Sequence, residues 1–259
     1  MSQFENYVDL IRDPKFSFAG DPLSKKLLIT TEGRFQTFYA PFDHLNLKAK
    51  VFICGITPGA QQAINALQEA RRSLQRGESV DMAKEKAKQY ASFSGPMRPN
   101  LVAMLDHIGL HTVLGIDSCE LLFSSYSHLA HYTSTLRNPV FRDGKNYSGT
   151  PSIVKQPSLL KQIDRQLTEE IQAFGPDCIF VPLGSEVSKV FDHLQAKGAV
   201  KASQVLGGML HPSPASNERI AYFLGRKERS ELSPKTNAAI IDKNKAAILE
   251  KIAALETAR

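Results

Sequence analysis

Hydrophobic positions along the chain fall into two patterns: short unbroken runs, and stretches at helical spacing. Val51-Phe52-Ile53-Cys54 is the first unbroken run, and it stops at Gly55-Ile56-Thr57-Pro58-Gly59. Such a run, closed by glycine and proline, predicts a buried parallel strand with a loop at its C-terminal end. Cys119–Phe123 predicts a second strand, 178–183 a third and 203–206 a fourth. Polar Ser124, Gly184-Ser185 and the loop 207–216 follow those three runs. Ahead of them, 26–31 and 35–40 flank Glu32-Gly33-Arg34, which predicts a β-hairpin arm.

Helical spacing appears between the runs. Ile64, Leu67, Ala70 and Leu74 recur at that spacing, Gly77 interrupts, and 82–90 resumes with many Lys and Glu. This charged pair of helices, about 61–91, reads as a solvated insertion. Asn100 is the expected N-cap of a helix that opens with 101–105 and ends near Gly109. Residues 125–158 show no clear period and predict a long loop, which inside a domain is functional or disordered. Leu160, Ile163, Leu167, Ile171 and Phe174 mark an amphipathic helix stopped by Gly175-Pro176. Val187, Val190, Phe191 and Leu194 mark another. Ser216 caps a short helix ended by Gly225, and a final helix covers about 237–257. Strands alternating with helices predict an α/β fold: a three-layer α/β/α sandwich on a four-stranded, mainly parallel sheet, with an N-terminal hairpin arm and a C-terminal helix.

Composition narrows the chemistry. The chain has 259 residues, 42% of them hydrophobic, and its net charge of +6 favours anionic partners, nucleic acid above all. No run approaches the ~20 apolar residues of a membrane span. The first residues lack the basic and apolar regions of a signal peptide, so a cytoplasmic protein without membrane contact is expected. Cys54, Cys119 and Cys178 lie far apart in apolar runs and form no C-x-x-C pair, so reduced thiols are expected, with no zinc or iron–sulfur site. Gly55–Gly59 is neither a dinucleotide-binding fingerprint nor a P-loop.

The stretch Gly207-Gly208-Met209-Leu210-His211-Pro212-Ser213-Pro214-Ala215-Ser216 is a proline-stiffened loop holding one imidazole and one hydroxyl at a strand end. Gly55-Ile56-Thr57-Pro58-Gly59 resembles the first motif of the uracil-DNA glycosylase superfamily, and His211-Pro212-Ser213-Pro214 resembles its second. Three shorter blocks fall in order between them: Ser92-Phe93-Ser94 with Pro99-Asn100-Leu101, Leu121-Leu122-Phe123-Ser124, and Leu183-Gly184-Ser185. The resemblance covers about 49–224 of what is expected to be one domain, and leaves the hairpin arm, the 61–91 insertion and the last helix unexplained.

The resemblance implies a monomer with no metal and no cofactor that hydrolyses the N-glycosidic bond of a flipped-out uracil or modified pyrimidine in DNA, leaving an abasic site. The alternative is a DNA- or nucleotide-binding member of the same fold that is catalytically weak or inactive. By the resemblance, His211 donates to the departing base and Thr57 orients water. Thr57 stands where relatives carry a carboxylate or amide, and a hydroxyl is a poor base. That implies a slow enzyme, or a base supplied by Asp43, Asp143 or Glu120; a structural hydroxyl is the alternative. Ile56, Gly59, Phe93, Ser124 and Asn146 would meet the base. Gly59 would leave room for a 5-substituent, Phe93 would stack or fill the core, and Asn146 would offer an amide or close an Asx turn. Pro99, Gly184, Ser185, Pro212 and Ser213 would hold DNA phosphates. Ala215, small where relatives insert a wedge, implies single-stranded or weakly paired DNA.

Overall fold

The computed structural model describes residues 3–257. Along the chain come α1 (Val8–Arg12), β1 (Leu28–Glu32), β2 (Phe35–Phe38), β3 (Val51–Gly55), α2 (Ala60–Gln75), α3 (Val80–Ala91), α4 (Met97–His107) and α5 (Leu110–Leu114). There follow β4 (Ala130–Ser134), β5 (Val140–Arg142), β6 (Lys145–Asn146), α6 (Pro157–Gln162), α7 (Thr168–Gln172), β7 (Ile179–Pro182), α8 (Ser185–Ala196), α9 (Asn217–Phe223) and α10 (Ala238–Thr257). The fold is mixed α/β with a C-terminal helix, and its contacts divide into two compact units. Met1–Asn46, Ile56–Ser94 and Tyr132–Ala173 form the first; Leu47–Gly55, Gly95–His131 and Phe174–Arg259 form the second. Among the described residues no helix is long and apolar enough to cross a membrane.

In the first unit the predicted hairpin is present, but as half of a four-stranded antiparallel sheet in the order β1-β2-β5-β6. Phe35, Gln36 and Thr37 pair with Arg142, Phe141 and Val140. Asp143 and Gly144 turn β5 into β6 with φ of +52° and +73°, the backbone a two-residue hairpin turn requires. The expected loop over 125–158 thus contains three strands. Ala130-His131-Tyr132-Thr133 is buried on both faces, so its polar side chains break the apolar signal without breaking the strand.

The helical pair α2 and α3 is core rather than a solvated insertion. Ala63, Ala66, Leu67 and Ala70 on α2 and Ala83, Ala87 and Ala91 on α3 are fully buried. Alanine lets helix backbones approach closely, yet registers weakly beside Lys and Glu in a hydrophobicity pattern. Ser79 caps α3, its Oγ accepting from the Met82 N–H at 3.2 Å. Arg71 donates to the carbonyls of Ile11 and Phe16 and covers the Phe18 ring, tying α2 to the N-terminal segment.

In the second unit β3 is buried throughout and pairs in parallel with β7, Val51 opposite Ile179 through Cys54 opposite Pro182. The parallel sheet has three strands, in the order β4-β3-β7. The expected fourth strand is reduced to two isolated parallel bridges, Phe180 to Val205 and Leu183 to Met209. Cys119–Phe123 is a 3-10 helix, not a strand. Ser118 caps it by accepting from the Glu120 N–H, and Asp106 accepts from the Ser118 hydroxyl and the Cys119 N–H at 2.7 Å each. Side-chain oxygens holding successive amides coil the backbone there and override the apolar pattern.

Candidate functional site

The His211 loop is built within the second unit. β7 ends as the Leu183 N–H donates to the Cys54 carbonyl, and the Gly184 N–H then donates to the Met209 carbonyl at 2.8 Å. Gly184 has φ +91° and ψ 161°, a region open essentially only to glycine. A Cβ there would stand 3.1 Å from the His211 Cβ, so the glycine also makes room for the histidine. Gly208 is crowded from the other side, where a Cβ would stand 2.9 Å from the Asn244 side chain on α10. Asn100 is not an N-cap: it lies inside α4, and its Nδ2 donates to the Pro212 carbonyl and the Asn217 Oδ1 at 3.0 Å each. Pro99 occupies the first turn of α4, where a missing N–H costs nothing.

The histidine itself is half-buried. The Ser213 N–H donates to its Nδ1 at 3.2 Å. An Nδ1 that accepts is unprotonated, so the neutral ring carries its proton on Nε2. Burial, and secondarily the charge of Arg219, lowers the pKa from the ordinary 6.5 and keeps the ring neutral at pH 7. Nε2–H has no protein partner among the described residues. The loop therefore presents a neutral hydrogen-bond donor in a fixed orientation. Ser185 is exposed as the first residue of α8, and Ser213 is half-exposed. Ser216 precedes α9 without capping it; its Oγ accepts from Arg219 instead.

The first-motif residues belong to the first unit from Ile56 onward. The Ile56 carbonyl accepts from the Leu136 N–H and the Thr135 hydroxyl. Thr57 donates to the Asn138 carbonyl at 2.9 Å and accepts from the Val140 N–H at 3.0 Å. Its hydroxyl thus bridges two backbone groups ahead of β5. Gly59 sits against the Asn146 amide: a Cβ on it would lie 3.4 Å from Nδ2, and Asn146 Oδ1 accepts from the Ala60 N–H at 3.0 Å. The space beside Gly59 is filled by that amide, which caps α2 from a distant strand. Phe93 is buried at φ +50°, with its ring edge-on to Tyr132 at 6.1 Å. Ser124 is exposed and bonded to Leu121. Of the other carboxylates, Asp43 accepts from the Phe4 N–H, Asp143 is held by Arg34, and Glu120 is exposed on its 3-10 helix.

No protein-family model matches the chain, and no solved structure does. The Bacillus subtilis (strain 168) protein YoxB, described as uncharacterized, is 33% identical over 236 residues, covering 88% of this chain and 92% of that protein. The chain belongs to the YoxB family. The match is longer than either compact unit, so the YoxB relationship takes in residues of both.

In this member of the YoxB family the second unit brings His211, Pro212 and Ser213 together with Gly184 and Asn100, and the first brings Gly59 together with Asn146. The sequence reading missed Asn100 as the strap on Pro212, Asn244 as the wall behind Gly208, and Asn138 and Val140 as the partners of Thr57. No local signal marks them, because each acts across a long sequence separation. The three cysteines are free and buried, and burial pushes the Cys178 thiol up to about 12. Burial likewise raises the Cys119 thiol, and both stay protonated at neutral pH. Among the described residues no cluster of His, Cys, Asp and Glu could hold a metal ion.

Proposed function

We propose that this member of the YoxB family is a DNA N-glycosylase related to the uracil-DNA glycosylases, acting on single-stranded or weakly paired DNA. The observation that carries the reading is the Ser213 N–H donating to His211 Nδ1, which leaves a neutral Nε2–H as the free donor of the loop. In this reading the C1′–N bond of a flipped pyrimidine breaks heterolytically, and its electron pair leaves with the base. The Nε2–H of His211 donates to the pyrimidine O2 as negative charge develops there. Water adds to C1′ and passes its proton to the departing base or to solvent. Such a preorganised donor is worth roughly 2.7–4 kcal/mol, or 100–1000-fold in rate. Gly184, Ser185 and Ser213 would hold the neighbouring phosphates. The three-layer α/β/α plan of that superfamily belongs to the same proposal, supported by the parallel pairing of β3 with β7 and by the two bridges that continue it.

A second reading has its own observation. Both hydrogen bonds of the Thr57 hydroxyl go to backbone groups, so position 57 offers no base, and the chain would bind DNA or nucleotide without hydrolysis. An abasic-site cleavage assay over uracil and 5-substituted pyrimidines, in single and double strands, separates the two. The glycosylase reading expects cleavage of at least one substrate by wild type, and a loss of about 100-fold or more in His211→Ala with DNA binding retained. Wild type that binds DNA but cuts nothing establishes the second reading. Equal cleavage by His211→Ala removes the histidine from the mechanism.

A further inference from the structure

Two adjoining cavities lie on the antiparallel sheet of the first unit; no residue of the sequence motifs lines either, and Asn146, whose amide packs on Gly59, lines one. One, of about 590 Å³, has an apolar floor of Phe35, Pro151 and Pro157. The other, of about 530 Å³, is polar and lined by Lys145, Asn146, Ser148 and Thr150. Arg34 and Arg142 line both. The strand register accounts for this, because Phe35 pairs with Arg142 and the Asp143 N–H donates to the Arg34 carbonyl. Arg34 and Arg142 thus stand where two solvent-open chambers meet.

Arg34 is 65% exposed, and its Nε and a terminal nitrogen both bond the Asp143 carboxylate. Arg142 also approaches Asp143, at 3.6 Å, and donates to the Thr150 carbonyl. A planar guanidinium fork binds a carboxylate and a phosphate in the same bidentate geometry. Both partners of this pair reach solvent, so a phosphate, which offers the fork the same bidentate geometry, can take the carboxylate's place.

We propose that this groove binds one step of single-stranded nucleic acid, with the internucleotide phosphate on Arg34 and Arg142 and one base in each chamber. Asp143 is the internal anion that the phosphate displaces. Lys145 adds positive charge on the polar side, while Glu32, at the rim of the apolar chamber, opposes binding. Paired bases cannot spread into two chambers, so duplexes are excluded. The groove does not depend on the His211 reading and stands or falls separately from it.

The test is fluorescence anisotropy with labelled, undamaged pentathymidylate at low salt, using wild type, Arg34→Ala, Lys145→Ala, Asp143→Asn and His211→Ala. Arg34→Ala is expected to weaken binding about tenfold and to flatten the slope of log K against log salt by about 0.7, the effect of one lost phosphate contact on a single strand. Lys145→Ala weakens it less. Asp143→Asn, which frees the fork, tightens binding, a gain that misfolding cannot mimic. Thymidylyl-thymidine is expected to compete far better than thymidine monophosphate or inorganic phosphate. Wild-type affinity in Arg34→Ala overturns the proposal, as does equal competition by inorganic phosphate, which would make this a single-phosphate site. Loss of binding in His211→Ala alone would place all DNA contact on the other loop.

Discussion

Replacing Thr57 with valine removes the hydroxyl while keeping the branched shape, and the structure fixes what is lost. Val140 is fully buried and Asn138 is 5% exposed, so water cannot replace the hydroxyl at either group. Leaving a buried donor or acceptor unpaired costs about 1–3 kcal/mol each. The Asn138 carbonyl has a second lone pair, which puts the sum at about 2–4 kcal/mol. The added methyl returns about 0.8 kcal/mol. A net destabilisation of about 1–3 kcal/mol follows. Thr57→Ser keeps both bonds and should cost under about 1 kcal/mol. The chain has no tryptophan, so urea unfolding is followed by far-ultraviolet circular dichroism. At an m-value of about 3 kcal/mol per molar, the Thr57→Val midpoint falls by roughly 0.3–1 M. The Val140 amide should also exchange faster with deuterium in that variant. If Thr57→Val unfolds at the wild-type midpoint with Val140 exchange unchanged, while its DNA cleavage disappears, the hydroxyl is catalytic and the bridging argument is refuted.

Glu170, 1% exposed, holds Arg137 at 2.6 Å and stands 3.9 Å from Lys88; Glu170→Ala should cost about 3–5 kcal/mol by stranding buried positive charge, measured by the same unfolding assay. Gly184→Ala forces a side chain into φ +91° and against the His211 Cβ, so it should cost about 1–3 kcal/mol and reduce any His211-dependent cleavage more than it reduces helix content. Burial lowers the pKa of His44, His107 and His211, each further lowered by a nearby cation, Lys88, Lys245 and Arg219 respectively. The unfolded chain therefore binds more protons just below pH 6.5, so stability should hold above that pH and fall as pH drops through the lowered folded-state values, as read by urea midpoints. Cleavage should follow the same direction, flat above about pH 6.5 and declining in acid, because protonating Nδ1 breaks the bond from Ser213; a rate that rises on acidification contradicts the neutral-donor assignment.

Elements whose cause is local were legible in the sequence: the turn at Gly33, the run Val51–Gly55, the stop at Gly184 and the long helix α10 all follow from neighbouring residues. Failures came where a distant or polar group set the backbone. Asp106 coils Cys119–Phe123 from thirteen residues away. β4 carries His131, Tyr132 and Thr133 inside the protein, so a strand looked like a loop. Alanine seams made α2 and α3 look solvated, because an outward face of Lys, Arg and Glu dominates a pattern whose inward face has little side chain to count.

The candidate site divides along the same line. The loop around His211 takes its conformation from Gly184, Gly208 and the prolines Pro212 and Pro214, and its decisive bond spans two residues. Thr57 reads as a water ligand only while its surroundings are unknown; its partners lie 81 and 83 residues ahead, on a segment with no periodic signal. Gly59 is similar: the sequence promised an empty space, and Asn146 fills it, with its Oδ1 on the N–H of Ala60, 86 residues away. Both departures fall on the first motif. A glycosidic bond that breaks before water attacks needs its leaving group stabilised more than it needs a base, because the cation formed at C1′ is electrophilic enough for unassisted water. A site that keeps a neutral, oriented Nε2–H while committing position 57 to the backbone suits that order of events, and the proposed glycosylase activity should respond far more to His211 than to any carboxylate.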